Sequence, residues 1–462
     1  MPESLPTNVL TSNRLDEVLA NAYVFCRDHF GEIHAATRVG GPYRKHYRRV
    51  RGELRDGLLR DCDFLALRQA EGIATALAGR NREEELAGIA ALLTAGAAAL
   101  SDRTNQAARF CRFQIQAHRS FGGESFWIST APADSMWERY AQPRSYDEIS
   151  VTVARYHPGL AITAARNGET EIRVERLESR LWSRLAGRAG RLKVAVAPLG
   201  RYETRFRVST PAEHGDPCGF VMESVAEEER QKEEIRQILQ QAHGKGVAIL
   251  TFPELRMTPG LLDVVRDFLE AQAVTAETGL LLVAAGSWHV EDGEAYVNQC
   301  PVLDCRGGIV WRQDKLAEFH LSPDNVAKTA EYWRERGVGP EGAVEDIRNG
   351  SVQVAVDSPV GRIAVAICAG YLHERAAQLL AEVHANLFLV PAMTTTCRDL
   401  EKTAEEMIRR RAGTFVANCG YTGGKHGRSF YLPAQRNGAV ERIEEGGTLL
   451  VGEFSDSLGD EA

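Results

Sequence analysis

The chain has 462 residues, 44% of them hydrophobic and 26% charged, a composition that excludes long-range disorder and implies two or three separate cores. Its net charge of −8 divides into +3 over residues 1–190 and −11 over the rest, so the two parts differ in electrostatic character, and neither is basic enough to bind nucleic acid by charge alone. No apolar run reaches the roughly 18 residues of a membrane span, and the first residues lack the basic-then-apolar pattern of a secretory signal, which makes the cytoplasm the expected location.

In chain order, Asn13 stands as a capping residue before Leu15, Val18, Leu19, Ala22 and Tyr23, whose spacing predicts a helix. The stretch from Tyr43 to Arg51 mixes basic and aromatic residues. It reads either as a nucleic-acid or phosphate contact or as the exposed face of a helix, and the nearby acids Glu53 and Asp56 favour the helix. Further helices are predicted over 61–78 and 82–100, the second opening with Glu83, Glu84 and Glu85 at the positive end of its dipole. Strands are predicted over 125–130 and 149–153, and residues 161–184 fit either type. The Gly-containing stretch 185–190 is the expected domain boundary. Phe126 to Thr130, followed by Asp134 to Ala141, faintly resembles one short segment of an uncharacterised bacterial family, domain of unknown function 2971. No activity follows for residues 1–187, which are read as a sensor, a partner-binding module or a second enzyme.

Beyond the boundary, strands and helices alternate. Strands are predicted over 192–197, 247–252, 280–285, 361–367, 387–391 and 414–418, and helices over 225–242, 261–278, 374–385 and 401–412. A hairpin is predicted from 296–303 and 308–311 across the Arg306-Gly307 turn. Such alternation means a layered α/β domain.

Three chemistry-bearing residues, Glu254, Lys315 and Cys368, each follow directly on an apolar strand. Sites in α/β sheets gather at the carboxyl ends of strands, so residues far apart in sequence can converge there. The set has a chemical logic. A thiolate attacks a carbonyl or nitrile carbon, a carboxylate takes the thiol proton and later serves the leaving amine and water, and an ammonium stabilises the developing oxyanion. The nine cysteines are scattered singly, which argues against a disulfide framework and predicts mostly buried, reduced thiols. Cys300 and Cys305 have no second pair or His cluster after them, so no metal site is expected.

These residues stand in segments that resemble the nitrilase or carbon–nitrogen hydrolase superfamily over roughly residues 191–454. Phe252-Pro253-Glu254-Leu255 looks like the family's Pro-Glu segment, and Tyr296-Val-Asn298 with Lys315 looks like its Tyr-Asn…Gly…Lys segment. Gly361 to Cys368 resembles the strand that leads to the nucleophile. Arg409 to Ala412 with Val416-Ala-Asn418, and Gly427-Arg-Ser429 with Pro433 and Gly438, resemble the family's later landmarks.

The resemblance implies an αββα sandwich over 191–454, no metal or cofactor, and a homo-oligomer; residues 1–187 read as a mainly helical or α+β domain and 455–462 as a tail, and no membrane partner is expected. It implies hydrolysis of a non-peptide C–N bond in a small-molecule amide, carbamoyl or nitrile substrate through a Cys368 thioester, with Glu254 as general base and acid and Lys315 stabilising the oxyanion. The alternatives are an N-acyltransferase on the same fold and a catalytically weak scaffold regulated by the first domain. The family's second pocket glutamate corresponds to Glu318 or to Glu331, the latter with Trp333 and Gly337. Ala369, Gly370 and Met393 are further pocket candidates. Gly370 departs from the family pattern, which has an acid two positions after the nucleophile. Residues 320–349 read as a loop insertion and a candidate lid at the pocket mouth.

Overall fold

In a computed structural model, the residues described before 169 are 42–54, 83–93, 115–118, 124–130, 160–167 and a few single positions between 18 and 95. Within 169–454 the described residues leave out 188–191, 200–202, 210–215, 274–278, 329–334, 336, 359, 375, 378–379, 381–384, 409–411, 421–426 and 434–438. The chain forms two compact units, Met1–Gly168 and Glu169–Ala462.

In the first unit, helix α1 spans Pro42–Glu53, with the proline at its first position, where no backbone donor is lost. His46, Tyr47, Val50 and Leu54 are buried along one face, while Arg48 and Arg49 are exposed and Arg49 pairs with Glu53 at 3.0 Å. The basic and aromatic stretch is therefore a helix whose aromatic side packs inward. Residues 83–93 are helical, with 86–93 buried and Glu83 exposed at the start. Strands β1 (Ile115–His118), β2 (Glu124–Thr130) and β3 (Leu160–Asn167) pair antiparallel in that order. The predicted segments 61–78, 134–141 and 149–153 lie outside the described residues.

The second unit begins earlier than the Gly-containing stretch suggested. Residues 169–187 form β4 (Thr170–Arg176) and α2 (Ser179–Ala186), and β4 is fixed in this unit by parallel pairing with β15 (Val352–Ser358). In this unit, one sheet runs β4-β15, then β16 (Gly361–Val365), β17 (Ala385–Ala392), β18 (Gly413–Asn418), β19 (Phe430–Leu432) and β20 (Glu441–Arg442). A second sheet is built from β5 (Leu192–Val196), β8 (Ile249–Thr251), β9 (Leu282–Ala284), β10 (Trp288–Asp292), β11 (Ala295–Asp304) and β21 (Leu450–Phe454), in the order β10-β11-β9-β8-β5-β21. Strand β12 (Ile309–Asp314) pairs with β11 across the predicted hairpin turn. A small third sheet joins β6 (Thr204–Val208), β7 (Cys218–Val225), β13 (His320–Leu321) and β14 (Ala343–Glu345).

The layers follow from two-sided burial. Ala195 of β5, Leu250 of β8 and Val283 of β9 face helices α3 (Glu228–Gly244) and α4 (Pro259–Ala273), which bury Ile235, Ile238 and Leu239 and Leu261, Val265 and Leu269. The intervening Val194, Ile249 and Leu282 are equally buried, because β17 and β18 of the first sheet lie against β8 and β5 on that side. Strands buried on both faces read as unbroken apolar runs. On the outer face of the first sheet lie α6 (Arg398–Ile408) and a 3₁₀ turn, Cys368–Leu372, whose Tyr371 hydrogen-bonds Thr414 at 2.9 Å and packs on Phe388. The sandwich is thus helix, sheet, sheet, helix.

Two elements correct the sequence reading. The helix predicted from 225 starts at Glu228, because 218–225 is strand β7. Residues 320–349 are not a bare loop: β13, a short helix α5 (Pro323–Lys328) and β14 lie within them. Among the described residues no helix is long and apolar enough to cross a membrane.

Candidate active site

Glu254, Lys315 and Cys368 converge. Glu254 follows β8 by three residues, Lys315 follows β12 directly, and Cys368 opens the turn after β16. The Glu254 carboxylate lies 2.8 Å from the Lys315 ammonium and lines the same cavity as Cys368. All three side chains are buried.

The backbone is bent to bring them together. Cys368 has φ +43° and Leu255, next to Glu254, has φ +53°, a left-handed region that costs a side chain about 1–3 kcal/mol. Strain of this kind persists where the surroundings over-determine it, as the packing of this strand-to-turn corner does. Gly286 (φ +76°) is needed for the same loop, since a Cβ there would stand 2.3 Å from the Pro253 carbonyl oxygen.

A second carboxylate, Glu345 at the end of β14, completes the cluster. It accepts from Lys315 at 2.5 Å, from Asn298 Nδ2 at 2.8 Å and from the Phe319 N–H at 2.9 Å. His289 Nε2 lies 2.9 Å from Glu345, and His289 Nδ1 accepts the Met222 N–H at 2.7 Å. The acceptor role at Nδ1 places the proton on Nε2, so His289 donates to Glu345 without carrying a charge. Asn298 also donates to Glu254 at 3.0 Å, and the Met393 N–H donates to the other Glu254 oxygen at 3.1 Å.

The electrostatics follow from this packing. Burial opposes ionisation of Glu345, yet the Lys315 charge and the His289 hydrogen bond hold it well below the usual carboxylate range. Burial works against the Lys315 charge too, but Glu254 and Glu345 raise its pKa on balance. Burial first, then the Glu254 carboxylate, push the Cys368 thiol well above its ordinary value, against the pull of Lys315 and the Met393 N–H. The resting site therefore keeps Cys368 as a thiol, Lys315 as an ammonium and Glu345 as a carboxylate.

These groups form the floor of a cavity of about 70 Å³. Its roof comes from the third sheet, with Phe206, Phe220, Met222, Leu321 and Ala343. Met393 lines the cavity as expected. Gly370 is buried, and a Cβ there would make only ordinary contacts, 3.5 Å from the Leu316 nitrogen, so the backbone does not require glycine at this position. Ala369 follows the thiol in the same turn but is not among the cavity residues.

Glu318 does not reach the cluster. It faces Asn349 and His320 and lies off the cavity. Glu331 lies outside the described residues. The glutamate on the lysine is instead Glu345, thirty positions beyond it. Sequence reasoning missed it because Ala343-Val-Glu345 is a three-residue strand followed by Asp346 in a charged segment. His289 and Asn298 were missed as site residues as well, although Asn298 stood in a recognised segment. Among the described residues no group of three or more His, Cys, Asp or Glu side chains has an arrangement that could hold a metal ion.

The sequence model of the carbon–nitrogen hydrolase family matches residues 221–435. No curated protein matches the chain. Among solved structures, the chain is similar to a nitrilase-superfamily member of branch 10 from Saccharomyces cerevisiae, at 14% identity and a TM-score of 0.39, over 58% of this chain and 92% of that one. It is similar to an amidase from Nesterenkonia sp. at 15% identity and a TM-score of 0.37, over 59% of this chain and 94% of that one. It is also similar to the NitFhit protein of C. elegans at 16% identity and a TM-score of 0.39, over 58% of this chain and 62% of that one.

Proposed function

We propose that the chain's carbon–nitrogen hydrolase domain, matched over residues 221–435, is an amidase that works through a thioester on Cys368. The observation that carries this reading is the convergence of Cys368, Glu254 and Lys315 on one cavity, with the Glu254 carboxylate fixed by Lys315, Asn298 and the Met393 N–H.

The steps balance on these groups. As the sulfur attacks the amide carbon, the thiol proton passes to Glu254, so no free thiolate is needed despite the raised pKa. Lys315 faces the negative charge that grows on the carbonyl oxygen. Collapse breaks the C–N bond, and Glu254 returns the proton to the leaving nitrogen. Water then attacks the thioester and gives its proton to Glu254, the carbon–sulfur bond breaks, the acid departs and the thiol is restored. Glu345 is a positioning residue here: it holds Lys315 from the side opposite Glu254, and His289 holds Glu345 in turn.

Ammonia release from a panel of primary amides tests the reading, with wild type and Cys368→Ala side by side. Release that depends on Cys368 is the expected result. Release that survives the substitution would overturn it. Adding hydroxylamine distinguishes acceptors: an acyl-enzyme that yields hydroxamate but no free acid would make the domain an acyltransferase.

A further inference from the structure

We infer that the cavity is built for an uncharged, apolar acyl group and turns away acyl groups that end in a carboxylate. The inference rests on the amidase reading above and names its substrate class. The floor holds the ammonium of Lys315 between two carboxylates, at 2.8 and 2.5 Å. Two carboxylates already balance that single positive charge, which leaves its third N–H for the reacting carbonyl oxygen and no free cation on the floor for a second anion. Among the described residues lining the cavity, Lys315 is the sole cation.

The roof repeats the message through strand alternation. Successive residues of a strand face opposite ways. Thr204 and Phe206 of β6 line the cavity, while Arg207 is exposed and is held elsewhere by the Tyr296 hydroxyl at 2.8 Å. Phe220 and Met222 of β7 line it in the same way, and the rings of Phe206 and Phe220 stand 5.8 Å apart. The register of the small sheet thus turns apolar side chains in and the nearby cation out. A carboxylate at the far end of an acyl chain would lose its water, meet no cation among the described lining residues except the already balanced Lys315, and share the cavity with Glu254 and Glu345. An alkyl or aryl end would meet Phe206, Phe220, Met222 and Val338.

The test uses two activated esters that differ at one end, p-nitrophenyl valerate and the mono-p-nitrophenyl ester of glutaric acid. Their acylation of the full chain is followed by nitrophenolate release, and the adduct is located by peptide mass spectrometry. Valerate is expected to acylate Cys368 at least about 100-fold faster than glutarate, since a site that strands a polar group rejects it strongly. Met222→Lys and Thr204→Lys are each expected to narrow the gap about tenfold by speeding glutarate. Equal rates, or faster glutarate, would overturn the inference while leaving Cys368 acylation and the amidase reading intact. Acylation of Cys368 by neither ester would overturn both. Should a lysine variant not fold, the wild-type ratio alone decides the point.

Discussion

At the floor of the cavity, Glu254, Lys315 and Glu345, together with the Asn298 and His289 side chains bonded to them, are each held by at least two polar partners or charges. At the roof, Phe206, Phe220, Met222 and Leu321 are held by packing on a four-stranded sheet of short strands. The difference separates two jobs. Polar partners fix direction, which bond-making needs, whereas apolar packing fixes shape and excludes water. It also makes the two regions fail differently. Removing one member of the floor leaves a buried charge unpaired, which is costly. Trimming the roof removes contact area, which changes affinity first.

That contrast can be broken most forcefully at Cys368, the proposed nucleophile. Cys368→Ala should cut amide turnover by roughly 10⁴-fold or more, and Glu254→Gln by about 10²–10⁴-fold, both read as ammonia release with the fold checked by circular dichroism. Lys315→Met should destabilise the fold by about 3–5 kcal/mol, because two buried carboxylates then face each other unpaired. A fall in the urea midpoint measures this, and adding Glu345→Gln should recover part of the loss. If Lys315→Met left the midpoint unchanged, the cluster would not be the buried unit described.

His289→Ala should cost about 1–3 kcal/mol, since Glu345 loses a donor and the Met222 N–H its acceptor. Its kcat should fall more than its KM changes, and His289→Gln should restore part of the rate; a pure KM effect would remove His289 from the floor. Phe220→Ala belongs to the other region. It should raise KM about tenfold for an apolar amide with little change in kcat, and a kcat collapse would erase the distinction between floor and roof.

A smaller effect concerns pH. Burial raises the thiol pKa of Cys300 and Cys419 and lifts that of Cys397 to about 12. A thiol kept neutral by the fold contributes fully below the unfolded pKa of about 8.5 and loses that contribution as pH rises toward the folded value. One unit above the unfolded pKa, the loss is about 1.4 kcal/mol per such cysteine. The urea midpoint should therefore drop between pH 7.5 and pH 9.5, and a flat profile would contradict burial of these thiols.

The floor was largely legible in the sequence, and the roof was not. Glu254, Lys315 and Cys368 each follow shortly after a strand, and β5, β8, β16, β17 and β18 are mostly apolar and buried on both faces, so composition marks them. Glu345 escaped because β14 has three residues and its partners lie in β10, β11 and β12, a tertiary relation without a local pattern. Strands β6 and β7 escaped for a related reason. Thr204–Val208 alternates with arginines and reads as a polar stretch, and the end of β7 was absorbed into the helix that follows. The second unit starts at Glu169 rather than past the Gly-containing stretch because parallel pairing of β4 with β15, over 180 residues away in the chain, outweighs local glycine content.

In the proposed reaction an acyl group passes through the Cys368 sulfur with Glu254 as the proton carrier. Intact-mass and peptide-mapping analysis of the chain, quenched in acid during turnover of an apolar amide or activated ester, tests it most directly. The account predicts a single acyl adduct on Cys368 that forms in the wild type and is lost in Cys368→Ala, and that forms at a much reduced rate in Glu254→Gln. An adduct on another cysteine, or turnover that continues with Cys368 replaced, would contradict it.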